Sequence, residues 1–153
     1  MREMRSAAER GNSVPADIAL EALQCEPGQI PEILACATLL RRRYFGDGLL
    51  MCSIMNAKSG ACSEDCAFCA QSAHHKTHAQ IAAMSEPEEI KAAYLRAAEY
   101  PVSHFGVVTS GKVLKETDIE AVCEAARRMR LPQLNWCASL GCLGKEQLLE
   151  LKR

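Results

Sequence analysis

LLMCSIMNAKSGACSEDCAFCAQS, residues 49–72, opens on a short apolar run, Leu49 to Met55, set between Gly46 and Gly48 on one side and Asn56 on the other. A continuous apolar run of this length reads as a buried strand. A polar loop with three cysteines follows it. Beyond the loop, Ser85-Glu86-Pro87-Glu88 has the capping-box pattern with Pro early, which predicts a helix over 86–99. His104 to Val108 reads as the second strand. Thr117-Asp118-Ile119-Glu120 is another capping box, and Ile119, Val122, Ala126 and Met129 recur at helical spacing after it. Pro132 ends that helix, Leu134 to Ala138 reads as a third strand, and Lys145 to Arg153 is a helical pattern that stops in mid-period.

Upstream of residue 49 the pattern is helical. Pro15 opens a short helix through Gln24, Pro27 and Gly28 break it, and Pro31 starts another that carries Ile33, Leu34, Ala37 and Leu40 on one face. Arg41, Arg42 and Arg43 complement the negative end of its dipole. The expected division is therefore a helical segment, 1–48, and an α/β part, 49–153. Alternating strands and helices imply a parallel sheet with right-handed crossovers. No glycine fingerprint follows the first strand, which disfavours a doubly wound sheet. The remaining α/β architecture is a TIM-type (β/α)8 barrel, of which about three βα units would be present. A whole barrel takes about 250 residues, so the expectation is a chain truncated at its C-terminus.

Composition narrows the function. Among 153 residues, 18 Lys+Arg stand against 19 Asp+Glu, a net charge of -1, with no basic run to suit nucleic acid or an anionic membrane. No apolar stretch approaches the roughly 18 to 20 residues that span a bilayer, and residues 1–10 lack the apolar centre of a secretory signal. A cytoplasmic, reducing location is expected, where thiols persist. The cysteines number nine; an odd count in such a compartment suits metal or redox chemistry better than a closed disulfide framework.

The chemistry-bearing motif is Cys62-x3-Cys66-x2-Cys69. Three thiolates on one short loop suit three corners of a cubane iron-sulfur cluster, leaving the fourth iron open to a small molecule. The alternative is zinc, with His74, His75 or His78 completing a Cys3His site. Position favours the cluster, because the functional loops of α/β barrels lie at the carboxyl ends of strands.

The string Asn56-Ala57-Lys58-Ser59-Gly60-Ala61-Cys62-Ser63-Glu64-Asp65-Cys66-Ala67-Phe68-Cys69-Ala70-Gln71-Ser72 resembles the biotin synthases, members of the radical S-adenosylmethionine superfamily. Asn135-Trp136-Cys137-Ala138-Ser139-Leu140-Gly141 is similar to that family's third strand. The resemblance runs from about Pro31 to Arg153 and implies roughly the first half of a family member. It implies that Cys62, Cys66 and Cys69 hold a 4Fe-4S cluster whose open iron binds S-adenosyl-L-methionine, with the Phe68 backbone against adenine and Val108, Thr109 and Ser110 along the cofactor. The implied reaction inserts sulfur into dethiobiotin to form biotin through a 5'-deoxyadenosyl radical. A flavodoxin or ferredoxin would donate the electron, and the full-length protein would be a homodimer.

One departure concerns the sulfur donor. In that family a second, auxiliary cluster takes a cysteine after a Phe on the second strand, and here Phe105 is followed by Gly106. Cys137 matches the next ligand; Cys142 is an extra thiol past the third strand, and Cys123 reads as core. An auxiliary iron-sulfur cluster of another type is expected, with Cys137 as a ligand and Cys142 as a further candidate. Lys58 reads as an exposed loop lysine or as a charge partner for the cofactor carboxylate or substrate. Glu64 and Asp65 read as loop-ordering acceptors of backbone N–H, and Trp136 as core. The histidines at 74, 75 and 78 read as solvated loop if the cluster is present. Two other readings stay open: a sister radical enzyme of the hydrogenase-maturation or methylornithine type, against which Glu64-Asp65 and Gln71-Ser72 speak, and a zinc-stabilised interaction module.

Overall fold

The computed structural model describes residues 2–152, and the chain divides into two compact units between Leu49 and Leu50. The first is helical: α1 (Arg2–Arg10), α2 (Ala16–Leu23), a single 3-10 turn at Pro27–Gln29 and α3 (Ile30–Phe45). Helix α1 carries no apolar stripe long enough to announce it in the sequence. It is held by tertiary contacts, with Met4 buried beside Cys36 of α3 and Arg43 and Tyr44 donating to the carbonyls of Glu9 and Gly11 at 2.6 and 2.8 Å. Gly46, at φ 66°, caps α3 by donating to the Arg42 carbonyl.

The second unit alternates β1 (Cys52–Lys58), α4 (Pro87–Ala97), β2 (His104–Thr109), α5 (Glu116–Arg128), β3 (Asn135–Ser139) and α6 (Lys145–Leu151). Arg153, where the sixth helix was expected to end, lies outside the described residues. The strands are parallel in the order β1-β2-β3. Strand β1 begins three residues later than the apolar run predicts, because Leu49, Leu50 and Met51 stay outside the ladder and exposed. The two capping boxes also shift. Glu86, rather than Ser85, caps α4, its N–H bonded to the Glu89 carboxylate at 3.1 Å. Lys115 caps α5, which places Thr117 inside its first turn.

One face of the sheet is dry. Phe105 and Val107 of β2 pack with Ile90 and Tyr94 of α4 and with Ile119, Val122, Cys123, Ala126 and Met129 of α5 and its end. Tyr94 and Phe105 meet edge to face with ring centroids 5.7 Å apart. Trp136 of β3 packs partly buried against this core. The other face carries the cross-strand rows Cys52-His104-Asn135, Ile54-Gly106-Cys137 and Asn56-Val108-Ser139. This face is exposed at Cys52, Ile54, Asn56, Asn135, Cys137 and Ser139, with Ile54 at 69%. The expectation of a buried first strand therefore fails on one side: the apolar run needs cover on both faces, and helices supply it on one.

Candidate metal centre

The centre is built at the carboxyl end of β1. The β1–β2 ladder slips between Asn56 and Lys58, so that Ala57 is left over and wholly buried. Such a bulge turns the strand end. Gly60 (φ 70°) and Ala61 (φ 48°) follow as two successive left-handed residues. A side chain at Gly60 would stand 2.9 Å from Ile81 Cγ1 and 3.2 Å from the Gln80 carbonyl, so only glycine fits this turn. It delivers Cys62 to the start of a parallel bridge with Ser72.

The returning segment, 71–77, fixes the cysteine loop by hydrogen bonds. Cys62 N–H donates to the Gln71 carbonyl at 3.0 Å, and Ala73 N–H donates back to Cys62 O at 2.8 Å. The Ser72 hydroxyl donates to Glu64 O at 2.7 Å, Ser72 N–H to Cys69 O at 3.3 Å, and the Thr77 hydroxyl to Ala70 O at 2.6 Å. Gly60 N–H donates to the side-chain oxygen of Gln71 at 2.9 Å. The Gln71-Ser72 pair therefore ties both ends of the loop, a role that its place in the sequence string did not reveal.

Within this frame Cys66 is exposed and Cys62 and Cys69 are half-buried, all three as free thiols. None of the three sulfurs has a hydrogen-bond partner among the described residues, and the donor set is that of a soft metal centre. Among the described residues no group of three His, Cys, Asp or Glu is arranged to hold a metal ion. A cubane cluster bonds each thiolate to its own iron, a donor set that three cysteines on one loop can supply.

The neighbours depart from expectation in three places. Among the described residues Glu64 and Asp65 accept no backbone N–H; Glu64 lies 3.5 Å from Lys112 Nζ and Asp65 3.6 Å from the His75 ring. Lys58 is no free loop lysine: its Nζ meets Asp118 of α5 at 2.6 Å with both side chains largely buried. His74 and His75 each bond to the loop, their Nε2 atoms 3.0 and 2.9 Å from Ser63 O and Cys66 O; His75 is half-buried, while His74 and His78 are exposed as a solvated loop predicts.

Around the centre, Phe68 is 96% exposed. Val108 and Thr109 end β2 half-buried, whereas the Ser110 hydroxyl is buried and donates to Gly60 O at 2.9 Å. Cys137 is exposed on the uncovered sheet face, and Cys142 is exposed beyond β3, its N–H bonded to Lys112 O at 2.7 Å. The described interactions do not join the thiols of Cys137 and Cys142. Cys123 is buried in α5, and burial pushes its thiol up from the ordinary value.

No family model matches the chain. The solved structure of methylornithine synthase superposes with a TM-score of 0.74 at 17% identity, covering 97% of this chain and 44% of that one. The likeness shows the fold, part of an α/β barrel. Sequence is more specific. The biotin synthase of Maridesulfovibrio salexigens is 42% identical over 147 residues, that of Desulfatibacillum aliphaticivorans 38% over 151, and that of Geobacter sulfurreducens 37% over 145. The chain is similar to the N-terminal part of these proteins. It spans about half the length of the curated relatives, 45% and 46% of the first two, while they cover 95% and 98% of it.

Proposed function

We propose that this chain supplies the S-adenosylmethionine-cleaving half of a biotin synthase-like enzyme, which inserts sulfur into dethiobiotin. The observation that carries the reading is the loop at the carboxyl end of β1, whose three cysteines are free thiols while the carbonyls of Cys62, Ser63, Glu64, Cys66, Cys69 and Ala70 are held by the returning segment. Cys62, Cys66 and Cys69 would hold the 4Fe-4S cluster. With S-adenosyl-L-methionine bound, that cluster supplies a one-electron reductive cleavage of the sulfonium.

The chain's own part is binding and orientation. The left-handed turn at Gly60 and Ala61 aims the loop, and segment 71–77 holds it. Phe68, which is exposed, would present its backbone to the adenine, and Val108 and Thr109 would lie along the cofactor. Ser110 takes part through its main chain, since its hydroxyl is already committed to Gly60. The uncovered face of the sheet would become the barrel interior. Cys137 is on that face and is the candidate ligand of an auxiliary cluster, with Cys142 as a further thiol; Gly106 denies the site a ligand on β2. A flavodoxin or ferredoxin as electron donor, and a homodimer as the assembled state, complete the reading by likeness to the family.

Anaerobic reconstitution with ferrous iron and sulfide tests it. About four irons per chain, a broad visible band and formation of 5'-deoxyadenosine under a strong reductant are expected, all lost in Cys69→Ala. A colourless chain with one zinc overturns the reading in favour of an interaction module.

A further inference from the structure

We infer that His74 and His75 are positioning residues for the three-cysteine loop, acting through the carbonyls of Ser63 and Cys66; the inference rests on the cluster-binding role proposed for that loop. The two imidazoles are consecutive in sequence yet reach back eleven and nine residues to opposite ends of the Glu64-Asp65 segment. A ring nitrogen facing a carbonyl oxygen must be the protonated one, so each ring carries hydrogen on Nε2 and donates it. Cys66 O accepts twice, from Cys69 N–H at 3.0 Å and from His75 at 2.9 Å. His75 thereby pins the turn that sets two of the three thiols relative to each other. His74 pins the residue after Cys62, and its own N–H is held by the Ser72 hydroxyl at 3.2 Å. Counting Ala73, Ser72 and Thr77, the returning segment satisfies the carbonyls of Cys62, Ser63, Glu64, Cys66, Cys69 and Ala70.

The physical consequence concerns preorganisation. Three thiolates must reach three corners of one rigid cluster together, and a loop that wanders pays ordering entropy at the moment of binding. Groups that hold metal ligands in place typically change metal affinity by about 10-fold to 100-fold when removed.

The test replaces each histidine in the 153-residue chain with Phe, which keeps a ring without a donor, and with Gln, whose amide N–H has similar reach. In the metal-free chain, amide hydrogen exchange is followed over residues 62–73, with the β2 and β3 amides as the internal control for folding. After anaerobic loading with ferrous iron and sulfide, the rate of iron loss to a chelator and the visible spectrum are recorded. His75→Phe is expected to raise both loop exchange and iron loss by about 10-fold with β2 and β3 unchanged, and His75→Gln to return both to within about twofold of the parent. Parent-like exchange and iron loss in His75→Phe, or a Gln variant as labile as the Phe variant, overturns the assignment. If the parent takes up no iron, the cluster reading fails, and the exchange arm still decides whether the histidines order the loop.

Discussion

Gly106 lies directly across the β2–β3 ladder from Cys137: a Cβ on the glycine would be 3.7 Å from Cys137 Sγ and 3.6 Å from Ile54 Cγ1. Those are ordinary contact distances, so neither close approach nor backbone conformation demands glycine here. Gly106→Ala is expected to fold and to gain about 0.5 kcal/mol, because the unfolded chain loses freedom. A urea unfolding curve checks it; a loss above about 1 kcal/mol would show that the open face is more tightly packed than these distances state.

Gly141 gives the opposite case. Its φ is 74°, and a Cβ would fall 2.4 Å from the Lys112 carbonyl and 2.8 Å from that of Gly111. Backbone cannot swing aside as a side chain can, and the left-handed conformation adds its own cost. Gly141→Ala should lose about 2 kcal/mol or more and break the bond from Cys142 N–H to Lys112 that joins the loops after β2 and β3. The expected readout is a lower unfolding midpoint together with faster proteolysis near residues 111–113.

Tyr94 shows how a polar atom fixes the dry side of the sheet. Its hydroxyl donates to Leu134 O at 2.7 Å and accepts from Leu131 N–H at 3.0 Å, with the side chain wholly buried. Tyr94→Phe keeps the edge contact with Phe105 but strands a buried carbonyl and an N–H. The expected loss is about 2 kcal/mol, more than one ordinary hydrogen bond is worth. Denaturant titration of the variant beside Tyr94→Leu, which removes the ring as well, separates the polar from the packing contribution.

The order of strands and helices was legible because each element carries a strong period or cap: Ile119, Val122, Ala126 and Met129 are buried on one face of α5 and its end as their spacing predicts. The cysteine motif was legible because three thiols in eight residues admit few roles. Exposure of β1 was not, since an apolar run does not say whether one face or two will find cover. The bonds of His74 and His75 were not either: a histidine in a polar loop has no periodicity, and its target carbonyls are set by the left-handed turn at Gly60 and Ala61. Helix α1 depends on contacts made by residues more than thirty positions away, which no local pattern encodes.

Reactivity of the thiols supplies the last test. Cys36 and Cys123 are each 2% exposed, whereas Cys52, Cys66, Cys137 and Cys142 are exposed. The thiolate is the reacting form. At Cys123 burial pushes the pKa up, Glu150 adds to the rise and Arg127 opposes it. An acid whose folded pKa lies above its unfolded value binds its proton more tightly in the native chain. Its contribution to stability is therefore whole below the unfolded pKa and is lost as the pH climbs through the folded one. In the metal-free chain at about pH 8, iodoacetamide should modify Cys66 and Cys137 at least about 10-fold faster than Cys123, with Cys36 slow for want of access. Loading with iron and sulfide should then shield Cys62, Cys66 and Cys69 and leave the rate at Cys52 unchanged. Peptide mapping by mass spectrometry reads each site separately. Equal rates at Cys66 and Cys123 would contradict the packing of α5 against the sheet, and an unprotected Cys66 in the loaded chain would contradict its place among the cluster ligands.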